Sequence, residues 1–236
     1  MRPYKLSALA ILAIVIPLLG CQQTNDPIAE HDPSLAITNV TVIDAVAGKR
    51  EAMTVLLSGD EIIAVEPSAQ ASFSAPRTLD GAGQFLIPGL WDMHVHITYE
   101  PDLIALMPRL FLDYGVTSVR DTGGMLPKLL PEIAKWRAAD AVAPRIFYSG
   151  PLLDGAKVVY DGDSRPEIGI ANATAEQARA NLAKLVSAGV DFIKIYELVS
   201  PEVFSALVAE AERLELPIAA HVPLALLAGD AGPRVD

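Results

Sequence analysis

The sequence predicts an α/β fold preceded by a small all-β unit, and three patterns indicate it. Short runs of β-branched residues separated by turn formers occupy residues 35–80. From residue 85 onward, apolar strand-like runs alternate with helical segments. These runs are almost continuously apolar, which is typical of parallel strands buried on both faces. The first 34 residues show none of these patterns and stand apart from the predicted fold.

Residues 1–20 have the layout of a secretory signal peptide. Arg2 and Lys5 make the start basic, and Leu6 to Gly20 form an apolar run without a charge. This run is shorter than the roughly 20 residues that a membrane-spanning helix needs. It therefore predicts a cleaved export signal, with an uncleaved anchor helix as the alternative.

The signal-like segment ends at Leu18-Leu-Gly-Cys21, which resembles the lipobox of bacterial lipoproteins. The resemblance implies cleavage before Cys21 and lipidation of its sulfur. It thus implies an exported, membrane-anchored protein that faces the periplasm or the cell exterior. Cys21 is the only cysteine, which excludes an intrachain disulfide. Residues 21–34 are polar and contain prolines, so we expect a flexible tether, in which His31 has no expected role.

Residues 35–84 are predicted to form a small β-sandwich-like unit. Three β-rich runs, Leu35–Ile43, Ala52–Leu57 and Glu61–Val65, are separated by turn formers. None of the three runs carries a residue pattern that suggests chemistry, so we expect a structural role.

Residues 85–236 are predicted to consist of repeated strand–helix units. After a first strand near residue 90, four apolar runs predict further strands: Val116–Arg120, Arg145–Ser149, Phe192–Tyr196 and Pro217–Val222. Thr174-Ala-Glu-Gln177 is a capping box that predicts a helix to about Ala188. Ser200-Pro201 predicts the start of another helix. Five such strands fit either a doubly wound sheet or part of a (β/α)₈ barrel.

The first strand carries the strongest chemical signal. Phe85-Leu-Ile-Pro-Gly-Leu-Trp-Asp-Met-His-Val-His96 is an apolar run that ends in two of the four histidines. Because side chains alternate along a strand, His94 and His96 are expected to point the same way, with Asp92 behind them. Two imidazoles on one face can hold a divalent metal ion. Two ordinary histidines near a strand end are the alternative.

The segment Val190-Asp-Phe-Ile-Lys-Ile-Tyr196 places a lysine inside an apolar strand. Strand geometry puts Ile193 and Ile195 on one face, and Lys194 with Tyr196 on the other. Burial lowers the pKa of a lysine because it disfavours the ammonium, and a neutral amine can act as a nucleophile, a base or an acceptor of CO₂. The alternatives are a Lys194 that reaches solvent or pairs with a neighbouring acid, and a Tyr196 that packs in the core.

A fourth ligand-type residue, His221, ends another apolar run. A lone histidine is more often structural, but His94, His96, Lys194 and His221 all fall at or near the carboxyl ends of predicted parallel strands. This is the end at which (β/α)₈ enzymes place their catalytic groups. Asp121, at the end of the second strand, is either a partner for a ligand histidine or the cap of the turn that follows it.

Taken together, these residues resemble the amidohydrolase superfamily, within it the imidazolonepropionase-like and prolidase-like branch. Four segments carry the resemblance: Ile87-Pro-Gly with Asp92-Met-His-Val-His96, Gly115–Gly124, Phe192-Ile-Lys-Ile, and Ala220-His-Val. The similarity covers about residues 35–225. It implies a (β/α)₈ barrel and a metal-dependent hydrolase.

The resemblance also implies a two-metal centre, most naturally with two Zn²⁺ ions. On that basis His94 and His96 bind one ion, Lys194 bridges both as a carbamate, and His221 binds the second. A hydroxide activated by the metals would attack an amide, peptide or cyclic amide C–N bond. Tyr196 shares the strand face of Lys194, and from there it could contact the substrate.

The superfamily requires two further residues that this sequence does not match. It takes a histidine from the sixth barrel strand and a proton-shuttling Asp from the eighth, and no patterned segment after His221 supplies either. We therefore expect an incomplete barrel of about five strands, the N-terminal part of a longer enzyme, with the shuttle Asp beyond this chain. The alternative function is a truncated, catalytically inactive, lipid-anchored remnant.

Composition and charge narrow the expected partners. A formal net charge of −11 argues against nucleic acid, whose binding needs Lys/Arg patches. We expect a small amide or peptide substrate and a lipid bilayer reached through Cys21, and the sequence leaves an oligomer open. A five-strand barrel would expose an apolar edge, so we expect residues 22–236 alone to be poorly soluble or self-associated.

Overall fold

The computed structural model describes residues 32–163 and 165–235. The chain divides into two compact units, the first ending at Ile87 and the second beginning at Pro88. The predicted signal peptide, Cys21 and most of the predicted tether lie outside the described residues. Within the described ranges, no helix is long and apolar enough to cross a membrane.

The first unit is a five-stranded mixed sheet. Its strands are β1 (Leu35–Asp44), β2 (Gly48–Ser58), β3 (Glu61–Pro67), β4 (Thr78–Asp80) and β5 (Phe85–Leu86). β2 pairs antiparallel with β1 and β3, whereas β4 and β5 pair parallel with β1. The three predicted strands are confirmed. Within this unit the described residues form one sheet, so the expectation of a sandwich-like unit is corrected to a single mixed sheet.

The turn between β1 and β2 follows from its sequence. Asp44 Oδ1 accepts hydrogen bonds from the N–H groups of Val46 (2.9 Å) and Ala47 (2.7 Å). Gly48 then adopts a φ of 69°, a conformation that a residue without a Cβ tolerates best. A small buried core holds the sheet: Val40, Val42, Met53 and Val55. None of the four predicted metal ligands lies in this unit.

The second unit consists of parallel strands that alternate with helices. Its strands are β6 (Leu90–Val95), β7 (Val116–Asp121), β8 (Arg145–Tyr148), β9 (Leu152–Asp154), β10 (Gly169–Ala171), β11 (Ile193–Ile195) and β12 (Ile218–Ala220). Its helices are α1 (Met107–Asp113), α2 (Leu126–Trp136), α3 (Ala175–Ser187), α4 (Pro201–Arg213) and α5 (Ala228–Ala231), with 3-10 turns at Pro101–Leu103 and Gly232–Arg234. The five predicted strands correspond to β6, β7, β8, β11 and β12.

The strand order positions the site. β6, β7 and β8 pair in that order, β10, β9, β11 and β12 form a second sheet, and all of these pairings are parallel. Asp191, just before β11, joins the two sheets because its N–H donates to Tyr148 O (2.9 Å) and its Oδ2 accepts from Tyr148 N–H (3.0 Å). The five βα units form the predicted partial barrel. Since the strands are parallel, their carboxyl ends lie at one edge.

Helices α3 and α4 begin where the sequence predicts. Thr174 Oγ1 accepts from Gln177 N–H (3.1 Å), and Ser200 Oγ accepts from Val203 N–H (3.2 Å). Pro201 occupies the first position of α4, where its missing N–H has no intrahelical partner to lose. The apolar faces of both helices join the strands in one core that includes Leu182, Leu185, Ile193, Ile195, Phe204 and Leu207.

The apolar run from Phe85 to His96 is two strands, so the prediction of one strand was wrong. β5 pairs with β1 in the first unit, whereas β6 begins at Leu90 and pairs with β7. Pro88 has no N–H for a ladder. A Cβ on Gly89 would clash with the Thr117 side chain, so the backbone passes too close for a larger residue.

Candidate metal centre

His94 and His96 lie at the carboxyl end of β6. The regular pairing of β6 with β7 shifts between Asp92 and Val95, where Asp92 Oδ1 accepts from His94 N–H (3.1 Å). The two imidazole rings are neighbours, with centroids 5.2 Å apart and planes inclined at 80°. His94 is exposed and His96 is half-buried. The strand end thus presents two potential nitrogen ligands side by side.

The backbone orients the His96 ring. Its Nδ1 lies 3.0 Å from the carbonyl oxygen of Gly123. A carbonyl oxygen only accepts, so this contact requires the proton on Nδ1 and leaves the Nε2 lone pair for a metal ion. Burial lowers the pKa of His96 below its ordinary value, which favours the neutral ring that metal binding requires.

Lys194 lies in the middle of β11 and is buried, with 5% of its surface exposed. Burial, followed by the positive charge of Arg120, lowers the pKa of Lys194 to about 8. The guanidinium of Arg120, from β7, lies 4.2 Å from the ring centroid of Phe192. At mildly alkaline pH much of the Lys194 amine is therefore uncharged, and this is the form that reacts with CO₂.

His221 directly follows β12. Its N–H donates to the carbonyl oxygen of Ile195 (3.1 Å), which anchors its backbone beside β11. Its ring centroid lies 4.5 Å from that of Tyr196, and its Nδ1 lies 3.9 Å from Glu197 Oε2. Burial lowers the pKa of His221, the charge of Lys194 adds to that effect, and Glu197 opposes it.

The charge of Lys194 connects the four predicted ligands. It contributes to the lowered pKa values of His94, His96 and His221, so the amine lies within electrostatic reach of all three rings. Over residues 32–163 and 165–235, no three His, Cys, Asp or Glu side chains are arranged to hold a metal ion. The three imidazoles therefore do not form a ligand set for one ion by themselves. The donor types suit a divalent metal if Lys194, as a carbamate, supplies oxygen atoms.

Two neighbouring residues of β7 also bear on the site. The side chain of Asp121 is fully buried, and its carboxylate accepts from Ile97 N–H (2.7 Å) and Gly123 N–H (3.1 Å). Burial raises the pKa of Asp121 to about 7, against the opposing effect of these two hydrogen bonds. Sequence reasoning left the role of Asp121 open. It did not single out Arg120, although a charged residue inside an apolar strand is a pattern that could have indicated a role in the site.

Tyrosine rings extend between His96 and His221. Ring centroids are 6.0 Å apart for His96 and Tyr99, 6.2 Å for Tyr99 and Tyr160, and 5.8 Å for Tyr160 and Tyr196. Burial raises the pKa of Tyr196 to about 12, so its hydroxyl stays protonated. Tyr99 and Tyr160 lie in loops without a periodic pattern, which is why sequence reasoning missed them.

No family model matches this chain. Among curated proteins, it is 31% identical over 91 residues to the adenine deaminase of Gluconobacter oxydans, a match covering 37% of this chain and 15% of that protein. It is 36% identical over 69 residues to the N-acetylglucosamine-6-phosphate deacetylase of Lysinibacillus sphaericus, covering 29% of this chain and 17% of that protein. The matches thus span less than a fifth of either relative.

Solved structures share a larger part of the fold. A putative prolidase from Bifidobacterium longum superposes with a TM-score of 0.67 at 26% identity, covering 81% of this chain and 50% of that structure. A solved amidohydrolase gives a TM-score of 0.65 at 22% identity, covering 80% of this chain and 56% of that structure, and supports the fold alone. Together with the curated relatives, these similarities indicate the amidohydrolase superfamily.

Proposed function

We propose that this protein is a metal-dependent hydrolase that cleaves a C–N bond in a small amide, peptide or cyclic amide. The observation that supports it best is the grouping of three imidazoles within electrostatic reach of the buried Lys194. The group lies at the carboxyl edge of parallel strands, where barrel enzymes carry out their chemistry. The names of the relatives agree with this proposal, because a deaminase, a deacetylase and a prolidase each break a C–N bond.

The proposed centre holds two Zn²⁺ ions. In it, His94 and His96 would hold one ion and His221 the other, and a carbamate on Lys194 would supply oxygen ligands. When bound, such metals polarise a carbonyl group and lower the pKa of a water molecule. Burial lowers the pKa values of the three imidazoles, which favours their neutral form, and Tyr196, whose hydroxyl stays protonated, would contact the substrate.

The metal proposal is tested by zinc analysis of the purified full chain beside two variants. We expect His94→Ala/His96→Ala to lose at least one equivalent of Zn²⁺. His31→Ala, which changes the one remaining histidine outside the proposed site, should keep the parent content. Equal zinc in the double variant and the parent would contradict the assignment. A panel of dipeptides and cyclic amides then tests activity, and a zinc-loaded chain that hydrolyses none of them would argue for the inactive remnant.

The carbamate on Lys194 is tested with ¹³C-labelled bicarbonate. We expect a carbamate carbon signal in the parent, because the lowered pKa makes this amine neutral far more often than an exposed lysine. Lys194→Ala should lose the signal, whereas Lys184→Ala, at an exposed position of α3, should keep it. Retention of the signal in Lys194→Ala would show that another amine is modified.

We further propose export and lipidation at Cys21, with the folded part on the periplasmic or external side. The basic start, the apolar run and Leu18-Leu-Gly-Cys21 support this proposal. Intact mass of the membrane-extracted protein is the test, and Cys21→Ala should leave the chain unprocessed or move it to the soluble fraction. A product that retains Met1, or one cleaved without lipid on Cys21, would contradict the proposal.

A further inference from the structure

Asp121 connects two strand ends that are distant in sequence. Its Oδ1 accepts from Gly123 N–H (3.1 Å), which is the bond expected of a residue that caps the following turn. Its Oδ2 accepts from Ile97 N–H (2.7 Å), which belongs to the chain just after β6. A residue that only caps a turn would not make the second bond, because Ile97 lies outside that turn. It shows that the carboxylate holds β6 and β7 together at the edge where His96 lies.

Both residues that Asp121 holds are neighbours of His96. Ile97 follows His96 in the chain, and Gly123 supplies the carbonyl oxygen that lies 3.0 Å from His96 Nδ1. The packing at Gly123 is tight, because a Cβ there would lie 3.0 Å from His96 Cε1 and 3.1 Å from Nδ1. The position of the Gly123 carbonyl therefore determines the hydrogen bond that the His96 ring can make.

We propose that Asp121 is a positioning residue for His96. By fixing Ile97 and Gly123, its carboxylate holds the ring in the tautomer that carries the proton on Nδ1 and presents the Nε2 lone pair. The value of that tautomer for metal binding rests on the proposed function. The tautomer itself is a property of the metal-free chain and is measured independently.

The test is the tautomer of His96 in the ¹⁵N-histidine-labelled full chain without metal. The ring ¹⁵N shifts are recorded at about pH 8, where the lowered pKa keeps the ring neutral, and are assigned with His96→Ala. We expect the parent to show a protonated Nδ1. In Asp121→Asn, the N–H of either Ile97 or Gly123 faces an amide NH₂ group instead of an acceptor. We therefore expect a mixture of His96 tautomers in this variant.

Asp154→Asn is the matched control. Asp154 is equally buried and accepts from the N–H groups of Gly155 (3.0 Å), Val159 (2.9 Å) and Leu198 (2.9 Å), but none of these residues adjoins His96. We expect Asp154→Asn to lower stability, as Asp121→Asn does, and to leave the His96 tautomer unchanged. Zn²⁺ titration should show a 10–100-fold weaker affinity for Asp121→Asn, as is typical when the partner of a metal-ligating histidine is lost.

Two results would overturn the proposal. The first is a parent chain whose His96 carries the proton on Nε2. This result needs no variant, so it decides the matter even if Asp121→Asn does not fold. An unchanged tautomer in a folded Asp121→Asn variant, or an equal change in Asp154→Asn, would reduce Asp121 to a purely structural residue. If the parent binds no Zn²⁺, the proposed function fails, and the tautomer comparison still decides the role of Asp121.

Discussion

The two sides of the candidate metal centre hold their histidines differently. On the β6–β7 side, a buried carboxylate and a backbone carbonyl fix the surroundings of His96 through hydrogen bonds of 2.7–3.1 Å. On the β11–β12 side, the described contacts of the His221 ring are with Tyr196 and with Glu197, whose carboxylate is 3.9 Å away. The backbone of His221 is anchored, but its ring is held by looser contacts than those of His96.

This difference bears on how a metal would be recruited. A ligand that is already in the right tautomer and orientation loses little freedom on binding, whereas a loosely held ligand must be ordered by the metal itself. We therefore expect the β6–β7 side to determine most of the affinity and the β11–β12 side to adapt. The first and third of the following predictions test this expectation, and the second tests the buried carboxylate of the β6–β7 side.

The largest effect is expected from Gly123→Ala. The added methyl group would press against the His96 ring, whereas in Gly124→Ala it would meet Thr98 Oγ1 at 3.0 Å and Leu129 at 3.4 Å. Both glycines lack a positive φ, so alanine fits both backbones. We expect Zn²⁺ affinity to fall about 10–100-fold in Gly123→Ala and little in Gly124→Ala, measured by titration calorimetry. Equal losses in the two variants would mean that general loop packing, and not His96, sets the affinity.

Much of the fold could be predicted from the sequence because its signals are local. Alternation and apolar runs predict β7, β8, β11 and β12, and the caps at Thr174 and Ser200 mark the starts of two helices. β4, β9 and β10 escape prediction because the apolar runs around them are short, and β5 is hidden because it shares one apolar run with β6. They are defined by backbone pairing with distant partners, as where Leu153 of β9 pairs with Ile195 of β11.

The site was predictable to the extent that it depends on strand ends. Residue type and strand position can both be inferred from the sequence. This made it possible to single out His94, His96, Lys194 and His221. The link from Asp121 to Ile97 spans 24 residues and depends on the register of β6 against β7, which no local pattern encodes. Sequence reasoning can therefore propose ligands here, but the contacts that orient them require the structure.

The second prediction concerns the proton on Asp121. Its pKa is about 7 in the folded chain, against an ordinary value of 3.8, so between these values the folded state holds a proton that the unfolded chain has lost. The free energy of unfolding should therefore fall as pH rises from about 4 to about 7, by at most about 1.4 kcal/mol per pH unit, and this contribution should be constant above that range. Urea unfolding of the parent and of Asp121→Asn measures it. The variant lacks this titration, so parallel curves for the two proteins would contradict the raised pKa.

The smallest effect is expected from Glu197→Gln on the other side of the centre. The side chain of His221 is 39% exposed and that of Glu197 is 33% exposed. Solvent screens such a pair, so its contribution to stability is roughly 0–1 kcal/mol. We expect Zn²⁺ affinity to change less than about threefold and the free energy of unfolding to stay within about 0.5 kcal/mol of the parent. Calorimetric Zn²⁺ titration of Glu197→Gln is compared with that of Asp121→Asn, in which a 10–100-fold loss of affinity is expected. A tenfold or larger loss in Glu197→Gln would show that His221 is held as firmly as His96, because only a partner that fixes the ring before binding could have so large an effect.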